Sequence, residues 1–250
     1  MYLSVIIPCY NEETNIRNGV LHVVTEYLDS QDYQKEVIIV DDGSDDQSVK
    51  LIEKYIKQSK KDYVKLIKNP HGGKASTVIT GMLAGEGDIV LFTDMDQATP
   101  IEETSKLLPF FDQGYDIVIG SRAGERKGAP IIRRAMSRGF FALRLLIVGL
   151  NFRDTQCGFK AFKRDVARKL FTSMKIHGTR KIIKGSTVTA GFDVEFLFIA
   201  RKMGYKMKEV PVKWHYVGTK RVNAIKESWR GLKELVNLKV NDIRGVYNQL

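Results

Sequence analysis

Asp88-Ile89-Val90-Leu91-Phe92-Thr93-Asp94-Met95-Asp96 is the stretch on which the fold turns. An unbroken apolar run followed by two carboxylates one residue apart reads as a buried strand that delivers Asp94 and Asp96 at its carboxyl end. Two earlier segments have the same form. Tyr2 to Pro8 leads into Cys9-Tyr10-Asn11-Glu12, and Glu36 to Val40 leads into Asp41-Asp42-Gly43-Ser44. Val64 to Ile67 supplies a further strand. Between them lie helical spacings: Ile16, Val20, Val24, Tyr27 and Leu28 after a cap at Asn11; Leu51, Ile52, Tyr55 and Ile56 after Asp45 or Ser48; and a helix from about Lys74 to Ala84 after the Pro70–Gly73 turn. This β-α-β-α-β-α-β order predicts a Rossmann-like, mainly parallel sheet flanked by helices, with right-handed crossovers. Ligands of such sheets bind at the carboxyl ends of the strands. A magnesium or manganese ion held there by one or two carboxylates keeps positions free for phosphate oxygens. A metal–diphosphate site is the expectation.

Bulk properties bound the alternatives. The chain has 250 residues and is 43% hydrophobic, enough for one large domain with a substantial core. Forty Lys and Arg against 29 Asp and Glu give a formal net charge of +11. That favours a polyanionic partner: nucleic acid, anionic lipid or a phosphorylated substrate. The two cysteines, Cys9 and Cys157, form no zinc pattern and fit a reducing compartment. Tyr2 to Pro8 reads as a strand, so no signal peptide is expected. No window reaches the roughly 18 uncharged apolar residues that span a bilayer. The nearest, Gly139 to Leu150, is interrupted by Arg144. A soluble or peripheral protein is expected.

Past residue 100 the rhythm changes. Ile101 to Phe111 reads as one helix with Pro100 at its start. Tyr115 to Gly120 reads as a strand ending at Ser121-Arg122. Residues 123–130 and 173–191, rich in Gly and basic residues, read as loops. Ile131 to Leu150 is a basic amphipathic helix, and Phe192 to Met203 a helix apolar on one face. Glu209 to His215 is a strand, and Lys226 to the end a second basic amphipathic helix. Residues 1–222 are assigned to one α/β domain and 223–250 to a basic amphipathic C-terminal extension.

The candidate site follows. Asp96 is the principal metal ligand, with Asp94 on the metal or a ribose; a plain capping turn is the alternative for this pair. Asp41 and Asp42 face a base or ribose, or else close an Asx-turn. Pro8, Tyr10 and Glu12 form a wall and floor, with the Tyr10 ring free to stack. Lys74 follows two glycines at a helix N-terminus, a natural anion site but not a Walker A loop. Arg122, Arg133, Arg134 and Arg138 concentrate guanidinium groups suited to phosphates. His71, His177 and His215 show no ligand spacing and read as structural.

Taken together, Pro8-Cys9-Tyr10-Asn11-Glu12-Glu13, Val40-Asp41-Asp42-Gly43-Ser44, Asp94-Met95-Asp96, Gly120-Ser121-Arg122 and Asp154-Thr155-Gln156-Cys157-Gly158-Phe159-Lys160 resemble an inverting family 2 glycosyltransferase of GT-A fold. Phe192-Asp193-Val194-Glu195 and Glu209-Val210-Pro211-Val212 resemble its polyprenyl-phosphate (dolichyl-phosphate) hexosyltransferase branch. Asp96 through Ala98-Thr99-Pro100 is closer to the glucosyl than to the mannosyl members. The resemblance covers residues 2 to 222. It implies a nucleotide-sugar donor (UDP-glucose or GDP-mannose), Mg2+ or Mn2+, and a polyprenyl or dolichyl phosphate acceptor. It implies a donor site of Pro8, Tyr10, Glu12, Val40, Asp42, Asp94, Met95, Asp96, Arg122 and Lys220, with Arg133 and Arg138 on phosphates. Gln97 stands where the family carries an apolar residue, which either adds a metal or phosphate contact or changes nothing. Asp193 and Glu195 order the acceptor side or are structural. The two basic amphipathic helices suit an anionic membrane surface, or pack as ordinary core, and a peripheral location at the cytoplasmic face follows from the first of these.

Three rivals remain at this level, one of them a catalytically silent nucleotide-binding scaffold, against which the intact Asp94 and Asp96 argue. A saccharide acceptor would need a carboxylate base, for which Asp154 or Asp193 are the candidates. A basic nucleic-acid-binding module is disfavoured, because the acidic strand ends repel phosphate unless a metal intervenes. Sugar, base, lipid length and oligomeric state are left open.

Overall fold

The structure, a computed structural model, describes residues 1–122, 131–177, 191–215 and 224–248, with backbone alone at 131–138, 224–228 and 230. In chain order the elements are β1 (Tyr2–Cys9), α1 (Glu13–Arg17), α2 (Val20–Asp29), β2 (Gln34–Asp41), α3 (Ser48–Ser59), β3 (Val64–Lys68), α4 (Gly73–Ala84) and β4 (Ile89–Thr93). There follow α5 (Thr104–Leu107), α6 (Pro109–Asp112), β5 (Ile117–Ser121), α7 (Ile131–Val148), β6 (Phe159–Lys163), α8 (Arg164–Ser173), α9 (Phe192–Lys202), β7 (Met207–Pro211) and α10 (Ala224–Ile243).

The seven strands form one sheet in the order β3-β2-β1-β4-β6-β5-β7. β1 is parallel to β2 and β4, and β2 is parallel to β3. Val5 lies beside both Val37 and Leu91, so the carboxyl ends of β1, β2 and β4 open on the same edge. Side chains alternate between two cores, as a period of two requires. On β4, Val90 and Phe92 enter one cluster, and Ile89 and Leu91 the other. Both faces are covered, which is why these strands read as continuous apolar runs. α10 lays Leu235 and Leu238 into the first cluster, and Tyr247 beyond its end joins them.

Three expectations are corrected, and one strand was not anticipated. β6 runs antiparallel between β4 and β5; its two lysines and short length hid it. Asn11 does not cap a helix: it takes a left-handed φ of 55° and α1 starts at Glu13. The exposed amides there are met by the start of α3, Glu12 N–H on Ser48 Oγ and Glu13 N–H on Asp46 Oδ2. The helix expected over 101–111 is broken into a 3₁₀ turn and two short helices, because Pro109 lacks the amide that would continue it. α9 is not apolar on one face; Phe192 through Ala200 are all buried, including Asp193 and Glu195. The loop reading over 123–130 lies outside the described residues, as does most of that over 173–191.

Candidate active site

A cleft of about 250 Å³ opens at the carboxyl edge of β1 and β4, beside the start of α4. Pro8, Tyr10, Glu12, Asp42, Lys74, Asp94, Met95 and Asp96 line it, together with Cys9, His71, Gly73 and Thr77. The sequence-expected wall, floor and acidic pair therefore meet in one place. Cys9 is buried, and burial pushes its thiol up to about 12, so it contributes shape and no nucleophile.

The acidic pair leaves β4 on a turn. Asp96 Oδ1 accepts the Ala98 amide at 3.0 Å. Burial raises the Asp96 carboxyl, and the Asp94 charge adds to this. Burial likewise raises Glu12, whose neighbours include Asp96 and Asp94. Three carboxylates thus crowd one cleft, and Lys74 Nζ stands 2.5 Å from Asp94 Oδ1. Behind Asp94 lies Gly158. A Cβ there would fall 2.0 Å from Asp94 Oδ2. Only glycine lets the carboxylate sit at that depth, a function of the Cys157-Gly158-Phe159 motif that sequence alone does not reveal.

The residues present fit a hard divalent cation. Asp94 and Asp96 offer oxygen only, the donor set such ions prefer. Gln97 is held at a left-handed φ of 48° while its Nε2 donates to the Asp94 carbonyl at 2.9 Å. Its Oε1 is buried without a partner among the described residues, but Gln97 is absent from the cleft lining and is not brought to the acidic pair. Among the described residues no three His, Cys, Asp or Glu side chains converge as a complete metal cage. An ion here would keep positions for substrate oxygens.

Asp42 and Asp41 both make structural hydrogen bonds, Asp42 while lining the cleft. Asp42 accepts the Gly72 and Gly73 amides at 2.8 and 2.9 Å, and His71 Nδ1 lies 2.9 Å from its Oδ2. It anchors the start of α4, so those two amides are not open to an anion. The expected anion site at this helix end reduces to the Lys74 side chain. Asp41 closes the turn through the Gly43 and Ser44 amides, with Gly43 at φ 74°. The Asx-turn reading holds for Asp41, and its carboxylate does not face the cleft. Val40 is fully buried in the core and lines nothing. His71 was read as structural, yet its ring stacks on Tyr10 with centroids 4.4 Å apart and planes at 16°. One face of Tyr10 is therefore covered, and only the other is left for a base.

Arg122 is not a free phosphate clamp. Its Nε and Nη2 bind Asp154 at 2.6 and 2.8 Å, its guanidinium lies 5.7 Å from the Trp214 ring, and it is absent from the cleft lining. Burial opposes its charge, but Asp154 outweighs burial and raises the guanidinium. Asp193 is held by Lys160, whose Nζ lies 2.6 Å from Oδ1. Lys160 is fully buried, with its ammonium over the Phe92 and Phe196 rings. The side chains of Arg133, Arg134 and Arg138, and Lys220 entirely, lie outside the described residues.

A GT-A sheet with an acidic pair at the end of its fourth strand defines a nucleotide-sugar-dependent transferase, and the comparisons agree. The chain belongs to glycosyl transferase family 2, whose family model matches residues 4–171. It is 30% identical to a dolichyl-phosphate beta-glucosyltransferase of Saccharomyces cerevisiae, across 99% of this chain and 77% of that protein. It is 31% identical to the dolichyl-phosphate beta-glucosyltransferase of Homo sapiens, across 98% and 77%. Among solved structures, mannosyl-3-phosphoglycerate synthase from Rubrobacter xylanophilus superposes with a TM-score of 0.69 at 15% identity, across 98% of this chain and 75% of that one. A mannosyltransferase from Pyrobaculum calidifontis, solved with GDP-Man and Mn2+, gives 0.62 at 22%, across 97% and 64%.

Proposed function

We propose that the cleft transfers a hexose, glucose in preference, from a nucleoside diphosphate sugar to a polyprenyl or dolichyl phosphate, with inversion at the anomeric carbon. The observation that carries this is the convergence of Asp94, Asp96, Glu12 and Lys74 at one strand edge. Asp94 and Asp96 would hold Mg2+ or Mn2+. When bound, that ion would neutralise the leaving diphosphate as a Lewis acid. The lipid phosphate oxygen attacks the anomeric carbon while the bond to the diphosphate breaks. A phosphate dianion needs no base to deprotonate it, so positioning and charge neutralisation suffice.

That economy fits the carboxylates present. The two that a saccharide acceptor would call upon, Asp154 and Asp193, are bound to Arg122 and Lys160. Relatives named as dolichyl-phosphate beta-glucosyltransferases, aligned over nearly the whole chain, support the same acceptor and favour glucose as the sugar.

The acceptor is a lipid, and the surface suits one. α10 exposes Trp229, Val236, Val240 and Ile243 along one stripe, and α7 exposes Leu143 and Leu146. Lys233, Lys239 and Arg244 border the stripe. No helix among the described residues is long and apolar enough to cross a membrane. We infer that this face lies on an anionic bilayer, with the cleft on the cytoplasmic side where nucleotide sugars are available.

Product partition tests the acceptor. With a short polyprenyl phosphate, labelled sugar should move into organic solvent. Label that stays aqueous, with nucleotide released only when saccharides are added, would replace the lipid acceptor by a saccharide.

A further inference from the structure

Lys74 is the only lysine or arginine lining the cleft among the described residues. It is also in an unexpected place. The start of α4, whose amides would normally receive a phosphate, is already occupied by the Asp42 carboxylate. The Lys74 ammonium does not stand free at that helix end, although its side chain is 36% exposed. It turns onto Asp94 Oδ1 at 2.5 Å.

The other oxygen of Asp94 sits in the space that Gly158 leaves open, where a Cβ would fall 2.0 Å from it. Asp193, the remaining carboxylate near Lys74, is occupied by Lys160. Burial works against the Lys74 charge, and Asp94, Asp193 and Asp96 outweigh it, so the ammonium keeps its proton. Formally, Glu12, Asp42, Asp94 and Asp96 against one ammonium leave the cleft with an excess of negative charge that a divalent ion would offset. The oxygen that Lys74 holds belongs to the same carboxylate that a metal needs.

We propose that Lys74 is a tethered place-holder. It occupies Asp94 Oδ1 in the donor-free protein, and when metal and nucleotide arrive together it is displaced onto the diphosphate. This rests on the metal reading of Asp94 and Asp96 and adds a consequence that reading does not contain. Free metal must compete with Lys74 for Asp94. A diphosphate removes the competitor by offering Lys74 a better anion. Nucleotide and metal therefore bind cooperatively, and the side chain of Lys74 carries part of the coupling. A structural lysine would stabilise the fold without linking the two ligands.

The test is a titration of Mn2+ followed by the electron paramagnetic resonance of the free ion, with and without UDP, on wild type, Lys74→Met, Lys74→Arg and Asp96→Asn. Thermal melts establish that each variant is folded. Lys74→Met should bind Mn2+ without UDP roughly tenfold tighter than wild type, since a cation a few ångströms from the metal position is gone. The enhancement of Mn2+ binding by UDP should shrink by a similar factor. Lys74→Arg, which keeps the charge, should stay near wild type in both. Asp96→Asn should lose Mn2+ in every condition. Unchanged or weaker donor-free Mn2+ binding in Lys74→Met, with wild type binding normally and Asp96→Asn not, overturns the place-holder and leaves the metal site standing. No Mn2+ binding by wild type even with UDP overturns both.

Discussion

At the scale of single residues the proposed chemistry rests on Asp96 and on the room that Gly158 leaves for Asp94, and the two differ in how visible they are in the sequence. Asp94 and Asp96 are legible because the pair is adjacent in the chain and follows a strand. Gly158 is not, because its role is to make room for a carboxylate far away in sequence. Asp96→Ala should cut transfer by about 10³-fold, the effect of losing several kcal/mol of charge neutralisation, with an unchanged circular dichroism spectrum. Gly158→Ala should displace Asp94 and reduce turnover roughly 10²-fold while its melting temperature stays near wild type. Near-normal turnover in Gly158→Ala would show that the depth of Asp94 does not matter. The pairings of Arg122 and Asp42 are hidden for a related reason, although Asp42 still lines the cleft. Their types suit phosphate and ribose, but their partners Asp154 and the Gly72 and Gly73 amides come from distant segments. No local pattern announces such a pairing.

Helix α9 sets the lesson for whole elements. Its Asp193 and Glu195 look like the solvent side of an amphipathic helix, yet both are buried and satisfied. Glu195 accepts the Lys175, Ile176 and His177 amides at 2.7, 2.7 and 2.9 Å, lies 2.7 Å from His177 Nδ1, and receives the Tyr247 hydroxyl at 3.0 Å. It ties the chain after α8 and the segment after α10 to the core. Burial raises its carboxyl, but the His177 hydrogen bond and the amides outweigh burial and hold it below the usual range. Its folded-state value is therefore lower than its unfolded value of about 4.3. The stabilisation is present above that value and fades as pH falls through the folded-state one. Glu195→Ala should cost about 3 kcal/mol, a fall in melting temperature of roughly 6–12 °C. The stability gap between wild type and Glu195→Gln should narrow in urea titrations as the pH is lowered from about 6 to about 3. A gap independent of pH would mean that Glu195 is not a charged hub. The same burial of polar groups hid β6, whose Lys160 reads as a surface residue and sits in the core under two aromatic rings.

For the molecule as a whole, the sheet, its parallel half and the strand-end cleft were legible, since continuous apolar runs and helical spacings encode them directly. The antiparallel insertion of β6 was not, because strand order is a property of the assembled sheet. The α7 and α10 face yields a prediction of its own. Val240→Glu with Ile243→Glu should weaken sedimentation with anionic vesicles by at least about tenfold, while donor binding is unaffected. Equal sedimentation would remove the membrane reading of that face. The central claim is that this cleft is a metal-dependent site for transfer to a lipid phosphate. Its most direct test is transfer of labelled glucose from UDP-glucose to a short polyprenyl phosphate, with Mn2+ or with a chelator, by wild type and Asp96→Asn. The account predicts organic-phase glucose only with wild type and metal. Equal product in the chelator, or from Asp96→Asn, would contradict it.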